Sequence, residues 1–264
     1  MKIELLIIDP QNDFCDSKGA LFVPGATEDM ERLANLLNRL RDKISDIHVT
    51  LDSHRFVDIA HPIFLVDSNG NHPDPFTIVS LEDGETGKWT TTNPAYRKRF
   101  MAYLKELSDN GRYLLCVWPP HCLIGTPGHN VFPCIYEALL AWEKERFAVV
   151  DFVTKGSNIW TEHYSGVQAD VPDPQDPGTM LNIPLIETLE RADIIGLAGE
   201  ALSHCVANTV RDIANTFGGD SIKKMVLLED CCSNVTGFEN LGLEFVDEML
   251  SRGMKMEKSV DFVK

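Results

Sequence analysis

The chain has 264 residues, of which 44% are hydrophobic and 24% are charged, and this composition is typical of a folded globular protein. The apolar content excludes intrinsic disorder, and no apolar run approaches the roughly 18 residues of a membrane-spanning helix. The net charge of −16 argues against nucleic acids and anionic membranes as partners, because both attract Lys and Arg. An apparent strand starts at Ile3, which leaves no room for a signal peptide, and the seven cysteines include no C-x-x-C pair. We therefore expect a cytoplasmic protein with free thiols.

Buried strands alternate with amphipathic helices along most of the chain. Apolar runs predict strands at residues 3–8, 47–51, 113–117, 149–153, 194–198 and 225–228. Apolar side chains at helical spacing predict helices at residues 27–44, 95–107, 131–146, 181–191, 205–217 and 238–251. This order predicts an α/β protein with a three-layer, doubly wound, mostly parallel six-stranded sheet in a single domain that spans residues 1–264.

Residues 62–112 interrupt this alternation. They carry a series of turn signals, which include Asn69–Gly70, Asp83–Gly84 and Asn93–Pro94. We interpret the segment as a long insertion after the second strand.

Polar side chains follow five of the predicted strands, at the carboxyl ends where open parallel sheets bind ligands. These residues are Asp9 after the first strand, Asp52, Ser53 and His54 after the second, Trp118 and His121 after the third, Lys155 after the fourth, and Cys205 after the fifth. Because parallel strands end at the same edge of a sheet, we expect an acid, imidazoles, a cation and a thiol to meet there.

Cys205 lies at a predicted turn from a strand into a helix. A helix N-terminus stabilises a thiolate and offers backbone N–H groups to an oxyanion. A carboxylate such as Asp9 can take the thiol proton, and a lysine such as Lys155 can stabilise the resulting anion. This pattern predicts a cysteine nucleophile at residue 205. The other two cysteines that follow a strand, Cys231 and Cys232, have no basic group close in sequence, and we interpret them as structural.

Asp52 and His54 form a short D-x-H motif, and His61 and His121 supply further imidazoles. Carboxylate and imidazole ligands with open coordination positions suit a catalytic divalent metal such as Zn²⁺, Fe²⁺ or Mn²⁺. These residues are therefore candidate metal ligands.

Four segments resemble nicotinamidases and the wider isochorismatase-like cysteine hydrolases, and they occur in the order found in that family. The sequence DPQNDF from Asp9 resembles the D-x-Q-N-D-F opening, and WPPHC from Trp118 is similar to the WPxHC segment. Lys155 and the glycine after it resemble the lysine segment of the family. The sequence GEALSHCV from Gly199 resembles the nucleophile elbow G-x-A-T-D-x-C-V.

The resemblance implies a catalytic triad of Asp9, Lys155 and Cys205. It implies an oxyanion hole formed by the backbone amides of Ala201 and Cys205, beside a non-proline cis peptide near Ala201–Leu202. In the family the substrate acyl group forms a thioester on the cysteine, ammonia leaves, and water then hydrolyses the thioester.

The resemblance also implies a metal ion that anchors the pyridine nitrogen of nicotinamide. The ligands would be Asp52, His54 and His121, with His61 as a variable fourth ligand, and the ion would be zinc, with iron or manganese as alternatives. The substrate-binding residues implied are Phe14, Trp118 and Tyr164.

The chain departs from the family pattern at three places, one of which is the segment from Lys155 to Tyr164, which is a little longer than expected. The elbow has Leu202–Ser203 where the family has Thr-Asp, and residues 62–112 are much longer than the corresponding segment of small nicotinamidases. Because this insertion directly follows His61, we expect it to pack as a lid over the metal side of the pocket and to narrow the choice of substrate.

Our first interpretation is a nicotinamidase, and the nearest alternative is another hydrolase of the same fold that acts on a different small amide. Isochorismatase itself fits less well, because it does not use the cysteine. A thiol redox or sensor protein, from a different functional class, would use Cys205 without Asp52 or His54. The intact Asp9, Lys155 and Cys205 set argues against an inactive binding module. The expected partner is a small-molecule amide, and the fold often forms homo-oligomers, although the sequence does not fix an oligomeric state.

Overall fold

The computed structural model describes residues 1–218 and 220–264. In these ranges the strands are β1 Ile3–Ile8, β2 Asp46–Asp52, β3 Leu65–Val66, β4 Ile78–Val79, β5 Thr90–Thr91, β6 Leu115–Cys116, β7 Asp151–Lys155, β8 Ile194–Gly199, β9 Met225–Leu228 and β10 Lys255–Glu257. The α-helices are α1 Asn12–Cys15, α2 Ala26–Arg39, α3 Leu81–Glu85, α4 Arg97–Asp109, α5 Pro133–Arg146, α6 Ile183–Glu190, α7 Ala207–Thr216 and α8 Glu239–Ser251. None of the helices in this part of the chain is both long enough and apolar enough to cross a lipid bilayer.

A parallel sheet of six strands forms the centre of the described structure, in the order β10-β9-β8-β1-β2-β7. Every residue of β1 is buried, which explains why all of its residues except Glu4 are apolar. Helix α2 packs against α5, and α7 packs against α8. The predicted α/β class with a six-stranded, doubly wound sheet is confirmed.

The strand order reverses between β1 and β8, which pair in parallel from Ile3 opposite Ile194 to Ile8 opposite Gly199. In open α/β sheets the crevice at such a reversal, beyond the carboxyl ends of the strands, is where ligands bind. Asp9 directly follows β1, and the segment that carries Cys205 directly follows β8. The topology therefore places two of the predicted site residues at this crevice.

One member of the sheet differs from the prediction. Residues 113–117 do not join the central sheet, because β6 pairs antiparallel with β4 of the insertion instead. The sixth strand of the sheet is β10, which pairs in parallel with β9. The sequence of β10 is Lys-Met-Glu and is largely exposed, so it contains no apolar run that could have predicted a strand.

The insertion at residues 62–112 is folded around its own apolar side chains. Helix α4 buries Phe100, Tyr103, Leu104 and Leu107 on one face. It begins two residues later than the helix predicted at 95–107.

Candidate active site

Three side chains that follow three different strands meet beyond the carboxyl edge of the sheet. Lys155 ends β7, and its Nζ lies 3.0 Å from Asp9 Oδ2 and 3.6 Å from Cys205 Sγ. All three residues are buried. The structure thus brings together the three residues that the resemblance implied as a catalytic triad.

Lys155 is held in place by neighbours on two sides. Its Nζ also donates to Asp52 Oδ1 at 3.1 Å and to the His163 carbonyl oxygen at 2.9 Å. Asp52 is its direct partner in the β2–β7 register. Burial lowers the pKa of Lys155, but the charges of Asp52 and Asp9 outweigh burial and raise it well above its ordinary value. The lysine is therefore a fixed positive charge.

The thiol and its candidate base both hold protons more tightly than usual. Burial raises the pKa of the Cys205 thiol well above its ordinary value, although Lys155 acts in the opposite direction. Burial also raises the pKa of Asp9, and the nearby charge of Asp52 adds to this effect while Lys155 opposes it. Thr50 Oγ1 donates to Asp9 Oδ1 at 2.6 Å and holds the carboxylate in place. Asp9 is therefore a stronger base than an exposed aspartate, and it lies beside an un-ionised thiol.

The nucleophile elbow is a π-helical turn, Leu202–Val206, that leads into α7. The amides of His204 and Val206 both donate to the Ala201 carbonyl oxygen, at 3.0 and 3.1 Å. The Ala201 amide makes no hydrogen bond to the described residues, and Ala201 lines the same cavity as Cys205. The helix predicted from Cys205 starts two residues later, at Ala207. The non-proline cis peptide is Glu200–Ala201, one residue before the implied position.

Asp52, His54 and His121 form a compact cluster beside the triad. Asp52 Oδ2 lies 3.0 Å from His54 Nε2 and 3.3 Å from His121 Nε2, and one candidate ligand atom from each residue lies within 4.8 Å of the other two. Two ligands at right angles around an ion, each about 2.1 Å from it, are about 3 Å apart, so these separations fit a shared divalent ion. The other ring nitrogens are held by Asp58 Oδ2 at 3.3 Å and by the Pro119 carbonyl oxygen at 2.8 Å, as is usual for metal-binding histidines.

His61 lies next to this cluster. Its ring centroid is 5.2 Å from that of His54 and 5.7 Å from that of His121. Its Nδ1 donates to the Phe56 carbonyl oxygen, while its buried Nε2 has no hydrogen-bond partner in residues 1–218 and 220–264. Burial, together with the nearby charge of His54, lowers the pKa of His61 to about 4. The ring is neutral at pH 7, and the lone pair on Nε2 is free to bind an ion.

The structure adds Glu162, which the sequence did not single out. It lines the same cavity as Asp52 and His121, and burial raises the pKa of its carboxyl to about 8. Its Oε1 accepts a hydrogen bond from the His163 amide at 2.9 Å, and its buried Oε2 has no partner within the described parts of the chain. A lone acidic residue in the loop after β7 has no pattern that distinguishes it from a solvated one, so no signal in the sequence could have identified it.

The predicted substrate-binding residues line one cavity together with Cys205. Phe14, Trp118 and Tyr164 form its aromatic walls, and Trp118 Nε1 donates to the Tyr164 hydroxyl at 3.0 Å. The cavity measures about 20 Å³, which is room for about one water molecule, so side chains must move before a six-membered ring can enter. A larger groove of about 610 Å³ lies beside Phe152, but none of the proposed catalytic residues or metal ligands lines it.

The insertion contacts this cavity at two of its walls. The Phe76 ring packs edge-on against Trp118 with centroids 5.7 Å apart. The Tyr103 hydroxyl accepts a hydrogen bond from the Glu162 amide at 3.2 Å. Residues 62–112 follow His61 in the chain, and they also pack against Trp118 and Glu162 in the wall of the cavity.

The comparisons with known proteins agree with one another. No protein-family model matches the chain. A curated relative, the nicotinamidase/pyrazinamidase of Mycobacterium tuberculosis, is 25% identical over 208 residues, which are 79% of this chain and 76% of the relative.

Among solved structures, the yeast nicotinamidase Pnc1p matches with a TM-score of 0.67 and 19% identity, over 96% of this chain and 98% of that protein. The same yeast enzyme bound to the inhibitor nicotinaldehyde matches with a TM-score of 0.67 and 18% identity, over 97% of this chain and 99% of that one. The pyrazinamidase of Pyrococcus horikoshii in complex with zinc matches with a TM-score of 0.56 and 19% identity, over 98% of this chain and 99% of that one. At these identities the solved structures establish the fold alone. The sequence motifs, the fold and the curated relative therefore agree in making the chain similar to nicotinamidases.

Proposed function

We propose that this protein is a metal-dependent nicotinamidase, which converts nicotinamide and water to nicotinate and ammonia through a thioester on Cys205. The similarity to nicotinamidases supports an amidohydrolase that acts on C–N bonds. The observation that carries the finer proposal is that one cavity is lined by Cys205 and by Asp52 and His121, so a single small ligand can contact both groups. The name of the curated relative and the yeast complex with nicotinaldehyde support a pyridine carboxamide as that ligand.

The chemistry assigned to the chain's own residues is acyl transfer to a thiol. The Cys205 proton passes to Asp9 as Sγ bonds to the carboxamide carbon, and Lys155 stabilises the developing negative charge. The Ala201 and Cys205 amides donate to the oxyanion. The C–N bond then breaks, and ammonia leaves with the proton that Asp9 held. Asp9 next takes a proton from water as the water attacks the thioester, and the proton returns to the sulfur when nicotinate is released.

The residues that would hold the metal are Asp52, His54 and His121, with the free Nε2 of His61 as a fourth ligand. When bound, a divalent ion supplies an open coordination position for the ring nitrogen of the substrate. The zinc in the Pyrococcus structure favours zinc over iron or manganese. In the metal-free protein burial raises the pKa of Glu162 to about 8, so its carboxyl can donate a hydrogen bond into the same cavity.

The substrate ring would lie between Phe14 and Trp118, with Tyr164 holding Trp118 in place. We also propose that residues 62–112 are an insertion within a single hydrolase domain and act as a lid, because they pack on Trp118 and Glu162.

The free cysteines suit a reducing, cytoplasmic compartment. A peroxide sensor fits less well, because burial raises the pKa of the Cys205 thiol and thiolate is the reactive form.

The direct test is ammonia release from a small panel of amides, with and without metal. We expect the zinc-loaded protein to hydrolyse nicotinamide, and we expect benzamide, which lacks the ring nitrogen, to show a kcat/KM lower by about 10²-fold or more, because it loses the positioning bond. A chelator should weaken both nicotinate binding and turnover. If benzamide reacted as fast as nicotinamide, the general small-amide hydrolase would become the better assignment.

The proposed role of Asp52 in metal binding can be tested against Asp46, a control residue at the opposite end of β2. Asp52→Asn should lower the bound zinc measured by mass spectrometry, because it removes the negative ligand of the cluster. Asp46→Asn changes a partly exposed residue on the same strand and should retain full zinc content.

Asp9→Asn tests the proposed base. The amide side chain of this variant can still accept the hydrogen bond from Thr50 but cannot take a proton, so we expect both catalysis and alkylation of Cys205 by iodoacetamide near neutral pH to slow. In the wild type, Asp9 must be ionised to act, so activity should fall as the pH drops through its pKa. Because that pKa is raised, this acid limb should lie above the ordinary aspartate value of 3.8. Alkylation at an unchanged rate would show that another group accepts the thiol proton.

A further inference from the structure

We propose that Glu200 and Asp29 are positioning residues of the reaction: as a buried pair of carboxyl groups that shares one proton, they hold Ser233 and thereby the oxyanion-hole amide of Ala201. The inference rests on the proposed function, because it requires an oxyanion that the Ala201 amide stabilises. Glu200 is fully buried and directly follows β8, and neither the sequence motifs nor the proposed reaction assigns it a role. A carboxyl group in such a place is costly unless it is hydrogen-bonded, so its partners indicate what it does.

The peptide groups on both sides of the Ala201 amide are anchored. The Glu200 amide donates to the Ile8 carbonyl oxygen at 2.8 Å, and the Leu202 amide donates to the Ser233 carbonyl oxygen at 2.7 Å. The first acceptor ends β1 of the central sheet, whereas the second lies in the loop that follows β9. The direction of the Ala201 N–H bond therefore depends on where this loop holds Ser233.

Two carboxyl groups fix the position of Ser233. Its amide donates to Glu200 Oε2 at 3.1 Å, and its Oγ donates to Asp29 Oδ2 at 2.5 Å. Asp29 lies in the first turn of α2, where the helix N-terminus favours a negative charge, and its Oδ1 accepts from Arg32 Nη2 at 2.5 Å. The loop of Ser233 is thus tied to the end of β8 and to the start of α2.

The hydrogen-bond donors around the pair indicate that Glu200 carries the shared proton. The side chains of Glu200 and Asp29 are hydrogen-bonded to each other, and two ionised carboxylates cannot form such a bond because neither has a donor. Asp29 already accepts from Arg32 and Ser233, whereas the buried Oε1 of Glu200 faces no donor within the described parts of the chain. Burial, together with the charge of Asp29, raises the pKa of Glu200 well above its ordinary value. Glu200 is therefore a neutral acid that donates to an ionised Asp29.

The other groups near the pair leave this arrangement intact at neutral pH. Burial raises the pKa of the Cys15 and Cys232 thiols well above the ordinary value, so neither thiol adds a charge. The Arg32 guanidinium compensates the charge of Asp29, and its Nε donates to the Asp230 carbonyl oxygen at 2.5 Å. The pair is consequently a stable link between the sheet, α2 and the loop of Ser233.

The geometry predicts a defect in the transition state and not in substrate binding. The oxyanion exists only while the reacting carbon is tetrahedral, so a displaced Ala201 amide should lower kcat and leave the affinity for a planar ligand such as nicotinate unchanged. Nicotinaldehyde differs, because Cys205 Sγ can bond to its aldehyde carbon while the thiol proton passes to Asp9 and the carbonyl oxygen becomes an oxyanion. The ratio of the affinities for nicotinaldehyde and nicotinate therefore reports on the oxyanion hole.

The experiment measures kcat for nicotinamide and the calorimetric Kd of nicotinate and nicotinaldehyde in variants of the zinc-loaded protein. Glu200→Ala should lower kcat by about 10²-fold, as for the loss of one oxyanion donor, and should weaken the binding of nicotinaldehyde alone. Glu200→Gln should stay close to the wild type, because its side-chain nitrogen donates to Asp29 and its oxygen accepts from the Ser233 amide. Asp29→Asn should lower kcat by about tenfold, because it places an N–H donor against Arg32 or Ser233.

A control variant and a spectrum complete the design. Glu229 also directly follows a strand of the central sheet, β9, but it is exposed, so Glu229→Ala should keep wild-type values in all three measurements. The infrared difference spectrum between the wild type and Glu200→Gln should contain the C=O stretch of a protonated carboxylic acid. This band reports the shared proton without reference to turnover.

The outcomes separate this inference from the proposed function. Three results would overturn the inference and leave the nicotinamidase assignment intact: wild-type kcat in a folded Glu200→Ala protein, an equal loss of affinity for both ligands in that variant, or greater impairment of Glu200→Gln than of Asp29→Asn. The third result would place the proton on Asp29, and it decides the matter even if Glu200→Ala does not fold. If the wild type hydrolyses no amide, the proposed function fails and the positioning role fails with it.

Discussion

Replacing Cys205 with alanine should lower the kcat for nicotinamide by about 10⁵-fold or more, as is usual when a covalent nucleophile is removed. The change deletes one sulfur atom from the wall of the cavity, so the fold and the metal cluster should persist. What remains is substrate positioning and the oxyanion-hole amides, which give only a small residual rate. Steady-state ammonia release, with zinc content and thermal unfolding as checks, measures the effect.

Cys232 provides a matched control. It is a buried free thiol with the same exposed fraction as Cys205, 6%, and it also follows a strand of the central sheet. Its Sγ donates to the Leu228 carbonyl oxygen, whereas the Sγ of Cys205 lies beside a lysine. Cys232→Ala should therefore keep wild-type kcat, although the small void it leaves will lower the melting temperature somewhat.

The proposed thioester intermediate can be tested directly. Acid quenching during turnover should trap an acyl group, and peptide mass spectrometry should place it on the peptide that contains Cys205. A folded Cys205→Ala protein that kept most of its activity, or an acyl group on a different cysteine, would contradict the thioester mechanism.

The proposed catalytic side chains could be anticipated from the sequence, because the parallel sheet brings them to one edge. Asp9, Asp52 and Lys155 follow or end buried parallel strands, and the carboxyl ends of such strands meet at one edge. Five of the six predicted strands belong to the central sheet and end at that edge. The error at residues 113–117 arose because an apolar run shows that a strand is buried but does not show which strand it will pair with.

The sequence did not reveal Glu162 as a residue of the site, because Glu162 lies in a loop. Glu162 reaches the cavity because its loop packs on Tyr103 of the insertion, a contact between residues far apart in the chain. This contact does not follow from periodicity or motif spacing, because it is set by tertiary packing.

The second large effect concerns Lys155, whose removal should cost stability as well as activity. The buried Nζ lies 3.0 Å from Asp9 and 3.1 Å from Asp52, and it is a positive partner of both carboxylates, of which Asp52 also pairs with His54. Breaking a buried ion pair by deleting one member costs about 3–5 kcal/mol, because the remaining charge stays buried without compensation. We therefore expect Lys155→Met to lower the free energy of unfolding by that amount at pH 8, in urea titrations of metal-free protein, and to abolish turnover.

The pH dependence of this loss has a definite sign. In the wild type the pKa of Lys155 is raised, so its contribution is fully present below the ordinary lysine value and is lost only as the pH rises through the higher folded-state value. In Lys155→Met, Asp9 loses its cation and should bind a proton more readily, so the stability difference from wild type should shrink as the pH falls from 8 to 5. The double variant Lys155→Met/Asp9→Asn should recover part of the stability and none of the activity. Lys105 is the control, because both side chains of its pair with Asp109 are exposed, and Lys105→Met should leave the free energy of unfolding close to the wild-type value. If Lys155→Met were as stable as the wild type at pH 8, Asp9 and Asp52 could not both be ionised in the resting enzyme, and Asp9 could not then be the base that takes the proton from Cys205.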